Sequence, residues 1–345
     1  MAELYDWQHG TWERLLQGRA FWTHALLLKG RKGIGKWVFA RHLAKSLLCS
    51  APRADGQACG QCASCGWFEQ DTHPNFVAVM PEALQNINDN QSNQDNTEAK
   101  SSDVTTRKNA GQQITIDQIR RLSDFVYLTG HQQGHKIVLI YPAETMHGAA
   151  ANALLKKLEE PPENVLFILV THQVQHLLPT IRSRCQQLTL PVPDRESALN
   201  WLQQQGVADP HASLAVAGFS PLLALTLAQG DHAASFDRFV QQLAQTRSLD
   251  ALALAEALQS TNLPDVVNWL QKWCYDLVCY RSTGRIRYFV NQQSAIVALS
   301  ENMDLHRAIA FARMLYQRQK LSFHPLNARL FLEELFLDYA AMLQR

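Results

Sequence analysis

The chain has 345 residues, 46% of them apolar and 18% charged, a balance that fits a soluble globular protein of about two or three domains with proper cores. A formal net charge of +1 supplies no global basic field, so any contact with nucleic acid must be local or made through partners. The mixed, acidic start Met1-Ala2-Glu3-Leu4-Tyr5-Asp6 is no signal peptide, and no apolar run is long enough to cross a bilayer. With seven cysteines, an odd number, a reducing compartment and a metal site fit better than a disulfide framework, so the chain reads as cytoplasmic.

Trp7, Trp12, Leu15 and Leu16 predict a short amphipathic helix over 5–17, ended by Gly18-Arg19. Ala25-Leu26-Leu27-Leu28 predicts a strand. Gly30-Arg31-Lys32-Gly33-Ile34-Gly35-Lys36-Trp37 follows it and opens a helix to about Leu48-Cys49. A strand, a glycine-rich loop and a helix are the setting of a phosphate-binding loop, G-x-x-x-x-G-K-[ST]. Gly30, Gly35 and Lys36 fit that pattern. Trp37 stands where a hydroxyl would ligand magnesium, and an indole cannot replace it. The loop is a degenerate nucleotide site, with weak ATP binding through Gly35 and Lys36 left open.

Cys49 and Cys59-Gly60-Gln61-Cys62-Ala63-Ser64-Cys65 come next. Thiolates at this spacing can turn back onto one tetrahedral ion, and glycine permits the tight turn. The expected ligands are Cys49, Cys59, Cys62 and Cys65, with His73 as the other candidate for the fourth place. Zinc is the expected ion and an iron–sulfur cluster the rival. Such a site between a helix and a strand reads as a structural staple.

Asn75 to Met80 predicts a strand buried on both faces. Residues 82–113 are dominated by Asn, Gln, Asp, Ser and Thr, and predict a disordered surface insertion. Asp117 is the expected N-cap of a helix through Leu128. Lys136 to Tyr141 predicts a buried strand. In hydrolysing P-loop proteins this strand ends in acidic residues that hold magnesium and polarise water. Here it ends Tyr141-Pro142-Ala143, so a second set of catalytic parts is missing.

A helix is predicted from Ala149 to Glu160, stopped by Pro161-Pro162. Val165 to Thr171 and Gln187 to Leu190 predict two further strands. Ser183-Arg184-Cys185 is read as opening the last one. Alternating strands and helices from 20 to 190 give an α/β domain with a parallel, doubly wound sheet. Beyond Pro193 the patterns are helical: short helices over 195–230, then long ones with apolar stripes such as Val266, Val267, Leu270, Trp273 and Leu277. The stripe over Leu326 to Leu337 fits internal packing, or docking on another subunit.

The chain resembles the bacterial clamp-loader subunits of the AAA+ family. The residues that carry the resemblance are Gly30 to Lys36, the four cysteines, Asn152-Ala153-Leu154-Leu155-Lys156-Lys157-Leu158-Glu159-Glu160-Pro161-Pro162, and Ser183-Arg184-Cys185. The resemblance implies an AAA+ domain over 1–190 with a zinc module at 49–65, a helical lid over 191–232, and a helical collar over 233–345 that oligomerises. It implies a hetero-pentamer of loader subunits within a DNA-directed DNA polymerase holoenzyme, which opens a sliding clamp and loads it on primed DNA. In such assemblies ATP sits at subunit boundaries and the neighbour supplies an arginine. Arg184 matches that arginine, and Ser183 and Cys185 its positioning residues. The plainer reading of Arg184 is a surface or structural arginine. Active members also carry an arginine just after the Ser220 position; here the run is Ser220-Pro221-Leu222-Leu223. The expectation is a subunit that does not hydrolyse ATP, the alternative an active ATPase with an unusual loop.

Overall fold

Strands that read as continuous apolar runs need cover on both faces, and the sheet has it. The computed structural model describes residues 3–17, 24–85, 111–127, 135–245, 249–324 and 326–343. Most of the expected insertion lies outside these residues, as do Gly18-Arg19 and Leu128. Among the described residues the chain forms two compact units, Met1–Val192 and Pro193–Arg345.

The first unit holds β1 (Ala25–Lys29), β2 (Phe76–Val79), β3 (Lys136–Ile140), β4 (Val165–Thr171) and β5 (Gln186–Thr189). They form one parallel sheet in the order β2-β3-β4-β1-β5. Alternation along each strand sorts the core into two layers. Leu26, Leu28, Leu139, Ile168 and Val170 face α1 (His9–Gln17), α2 (Lys36–Leu48) and α3 (Ala63–Glu69) through Trp12, Phe39, Leu43 and Phe68. Leu27, Val138, Ile140, Phe167 and Leu169 face α4 (Ile116–Tyr127), α5 (Gly148–Glu159) and α6 (Pro179–Arg184).

Three local readings are corrected. β2 is an edge strand, so Phe76, Val77 and Ala78 are only half-buried. Thr115, not Asp117, caps α4. Its Oγ accepts from the Gln118 N–H at 3.4 Å, and the Gln118 side chain accepts from the Thr115 N–H at 2.9 Å. That reciprocal pair is a capping box, legible as T-x-x-Q. Arg184 does not open a strand. Pro179 starts the six-residue helix α6, Ser183 and Arg184 form its last turn, and Cys185 is its C-cap. Proline at the first helical position was the available signal.

The second unit is helical. α7 (Arg195–Gln204), α8 (Pro210–Val216) and α9 (Pro221–Ala228) share a small core around Leu202, Leu214 and Ala224. The larger core joins α10 (Gly230–Leu243), α11 (Ala251–Leu258), α12 (Leu263–Thr283), α13 (Gln293–Asn302), α14 (Leu305–Leu321) and α15 (Ala328–Leu343). The expected lid boundary at 232 falls inside α10. Two buried polar contacts fix this core. The Trp273 indole donates to the Tyr339 hydroxyl at 2.8 Å. Fully buried Asp276 accepts from the N–H groups of Arg287, Tyr288 and Phe289 at 2.9, 2.8 and 2.7 Å. On α15 one stripe, including Phe331, Leu335 and Tyr339, is buried, while Leu330 and Leu337 are exposed. No single described helix is long and apolar enough to cross a membrane.

Candidate functional site

Gly30 leaves the end of β1, where Lys29 pairs with Thr171 and Thr189, and the loop runs to α2 at the carboxyl edge of the sheet. Open α/β sheets bind ligands at that edge. The backbone geometry explains two glycines. At Gly30 a side chain would meet the Leu190 carbonyl at 2.8 Å, and at Gly35, with φ +85°, it would meet the Tyr5 ring at 2.6 Å. So Gly35 is needed here for contact with the chain's own N-terminal segment. The Trp7 indole donates to the Ile34 carbonyl at 3.1 Å. The Gln8 carboxamide donates to the Ile34 and Gly35 carbonyls at 3.1 and 3.0 Å. Tyr5 stacks on Trp7. In the sequence Trp7 was legible only as part of an amphipathic helix.

Lys36 is buried, and its ammonium donates to the Gly30 carbonyl at 2.7 Å and to the Arg31 carbonyl. Burial draws it down to about 7, against the opposing pull of Glu144. Trp37, in the hydroxyl position, lies against Tyr141, in the position after β3 where acidic residues were expected. Their ring centres are 4.8 Å apart. Burial, helped by Glu144, pushes Tyr141 up to about 12, so it stays a neutral phenol at physiological pH. Tyr141 in turn meets His172 edge-on at 5.5 Å. His172 is held neutral by burial and by the charges of Lys36 and Lys32, and its backbone N–H donates to the Glu144 carboxylate at 2.9 Å. Both positions expected to hold magnesium are therefore filled by aromatic rings in contact with each other.

The other end of α2 carries Cys49 as its C-cap. Cys62 caps α3, and Gly60, at φ +76°, makes the turn between Cys59 and Cys62. The four sulfurs of Cys49, Cys59, Cys62 and Cys65 lie within 4.8 Å of one another. Cys49 Sγ is 3.5 Å from that of Cys59 and 3.8 Å from that of Cys62. Zinc–sulfur bonds of about 2.3 Å in a tetrahedron place sulfurs about 3.8 Å apart, so the set fits one ion. Backbone N–H groups of Cys59, Cys62 and Cys65 point at the sulfurs of Cys49, Cys59 and Cys62. Against the upward push of burial, N–H groups of Cys65 and Ser50 draw Cys62 down to about 6. Burial forces Cys65 up to about 12. Four thiols this close cannot all ionise without a cation among them, so the residues can bind a metal ion. A closed four-thiolate set would make it structural.

His73 is not the fourth ligand. Its Nδ1 accepts from the Asn75 N–H at 3.0 Å, so Nε2 carries the proton and donates to Ser64 Oγ at 2.9 Å. Ser64 then donates to the Leu48 carbonyl at 2.6 Å. This chain of bonds ties the cysteine turn to the end of α2.

Arg184 lies at the carboxyl end of α6. Its guanidinium pairs with Glu159 at 2.7 Å and donates to the Thr180 carbonyl at 3.1 Å, with 35% of the side chain exposed. Ser183 Oγ donates to the same carbonyl at 3.0 Å. Cys185 is buried, and burial pushes its thiol up to about 11, so it packs as a neutral side chain. Glu159 belongs to the helix-plus-proline motif and Arg184 to the Ser-Arg-Cys motif. Their contact joins two stretches that sequence reading had kept apart.

The family model described as "DNA polymerase III, delta subunit" matches residues 13–194, and that described as "DNA polymerase III, delta subunit, C terminal" matches 232–340. The chain is 35% identical to DNA polymerase III subunit delta' of Pseudomonas aeruginosa over 99% of each chain. It is 30% identical to the Escherichia coli protein of that name over 77% of this chain and 73% of that one. Among solved structures, a DNA polymerase III gamma subunit-related protein of Thermotoga maritima aligns over 98% of this chain and all of its own, with 18% identity and a TM-score of 0.45.

Proposed function

The chain belongs to the DNA polymerase III subunit delta' family, and on that basis we propose that it is a non-hydrolysing subunit of the clamp loader. In this reading it joins the other loader subunits in a cytoplasmic hetero-pentamer, helps open the sliding clamp on primed DNA, and supplies Arg184 in trans to a neighbour's ATP. Zinc, held by Cys49, Cys59, Cys62 and Cys65, fastens the segment between α2 and β2.

The observation that carries the reading is the Trp37–Tyr141 contact. Two rings replace the hydroxyl and the carboxylate that hold magnesium: the indole offers a hard cation no oxygen, and the phenol, kept neutral by burial, brings no negative charge to one. An ATP-hydrolysing alternative would need magnesium held without either position. Arg184 has the chemistry of a finger: a planar fork of donors stabilises charge on a transferring phosphoryl group. A collar contact through Leu330 and Leu337 is compatible with the same assembly.

The test is reconstitution. The isolated chain should hydrolyse ATP at the background rate. Added to partner subunits that lack it, the chain should restore clamp-stimulated ATPase and clamp loading. Turnover by the isolated chain that survives repurification and disappears in Lys36→Ala overturns the reading.

A further inference from the structure

We infer that Glu159 is a positioning residue for Arg184, setting the direction in which its guanidinium is presented to a neighbour's phosphate. The inference rests on the proposed trans-acting role of Arg184.

Both residues stand on fixed backbone. Pro161-Pro162 end α5 just beyond Glu159, and the preceding Leu158 is buried in the core beneath α5 and α6. Cys185, next to Arg184, and Ile181, one turn before it, are buried in that core. The ion pair at 2.7 Å therefore spans two anchored points. Arg184 is held from two sides, by its ion pair with Glu159 and by its hydrogen bond to the Thr180 carbonyl. Other N–H groups of the fork can meet a ligand. A long arginine side chain gives up rotamer freedom on ordering. These two contacts meet part of that cost before the phosphate arrives.

Stability alone does not account for Glu159. The pair is partly exposed on both sides, 35% and 48%, and such pairs contribute little to stability. An anion as the last residue of a helix also opposes the helix dipole. A carboxylate placed there costs the helix about what the pair returns. Its net effect falls on the geometry of the guanidinium.

The test is a set of variants in the reconstituted loader: Arg184→Ala, Glu159→Ala, Glu159→Gln, Glu159→Lys, and Glu159→Ala with Arg184→Ala. Each is scored for melting temperature, assembly, and kcat and KM for ATP. Glu159→Ala should lower kcat by about tenfold and leave KM in place, since positioning acts in the transition state. Glu159→Gln, which keeps an acceptor oxygen, should recover most of the rate. The double variant should be no slower than Arg184→Ala alone. Glu159→Lys carries the test if the alanine variant assembles poorly. It tolerates exposure and should cut the rate further by repelling the guanidinium. Wild-type kcat in Glu159→Ala, with Arg184→Ala slow, overturns this inference and leaves the finger standing. So does a further loss when Glu159→Ala is added to Arg184→Ala. Wild-type turnover in Arg184→Ala overturns both.

Discussion

Two cationic side chains in the α/β unit have opposite fates. Lys36 is buried, engaged with two carbonyls of its own loop, and drawn down to about 7 by the surroundings that close over it. Arg184 is 35% exposed, pinned by Glu159 and Thr180, and keeps donors to spare. The loop has turned inward: Tyr5, Trp7 and Gln8 pack on one side, and Trp37 and Tyr141 meet on the other. On the proposed reading, the chemistry a chain performs on its own nucleotide and the chemistry it offers to another chain's reside in different places. The first can be filled in with rings while the second stays presented.

The sharpest way to break this contrast is Arg184→Ala. In the assembled loader, hydrolysis at one neighbouring site should fall by about a thousandfold, with clamp loading slowed and the melting temperature unchanged. Arg184→Lys should rescue poorly, because an ammonium cannot present a planar fork. Loss of assembly with per-complex ATPase intact would instead make Arg184 structural.

A reciprocal test tries to re-arm the loop with Trp37→Thr and Tyr141→Asp together. The isolated variant should remain without ATPase activity. Removing two packed rings should cost about 3 kcal/mol, near the low end for large-to-small changes because both are half-buried. Turnover above background would show that only the ligands, and not the closed loop, had been lost.

The cysteine cluster, at the far end of α2 from the loop, separates stability from catalysis. Zinc analysis should give about one ion per chain. Cys62→Ser should lose about 3 kcal/mol, through loosening around 49–70, while turnover per assembled complex stays at the wild-type level. His73→Ala should lose about 1–2 kcal/mol, since Ser64 and the Asn75 N–H each lose a partner. Zinc content should not change. Loss of the ion in His73→Ala would return His73 to the ligand set.

What could be read in the sequence follows the range of the contacts. The strands were legible because burial on both faces leaves continuous apolar runs. The cysteines were legible because ligands two residues apart declare themselves, and Cys49 lay near enough to be named. Trp37 and Tyr141 were each visible as a missing part. Their contact was not, because only the pairing of β3 with β4 and of β4 with β1 brings those two strand ends to one edge. The same holds for Gln8 on Gly35 and Glu159 on Arg184, pairs joined by topology with no periodicity to announce them. Pro179 and Thr115 were different. Their local signals were present, and a strand expectation and a neighbouring aspartate drew the reading away from them.

The smallest expected effect falls on the residue that would matter most in a hydrolysing enzyme. Lys36→Met should leave clamp loading and per-complex ATPase unchanged, because in this chain the lysine contacts only its own loop and its surroundings. It should nevertheless change how stability depends on pH. The charged group that bears on the ammonium is Glu144, which favours the charge; His172, on which Lys36 itself bears, is neutral. Burial outweighs the help from Glu144, so the folded-state value lies near 7, while an unfolded lysine titrates near about 10.4. Between those values the unfolded chain binds more protons than the folded one, and stability therefore rises with pH across that window. Below about 7 both states are protonated and this slope vanishes. Denaturant titrations of the isolated chain between about pH 7 and 10 should show the rise in the wild type and a flatter profile in Lys36→Met. A slope identical in both would mean that Lys36 is charged and solvated in the folded chain. The loop would then be open, and the contrast with Arg184 would fail at its buried end.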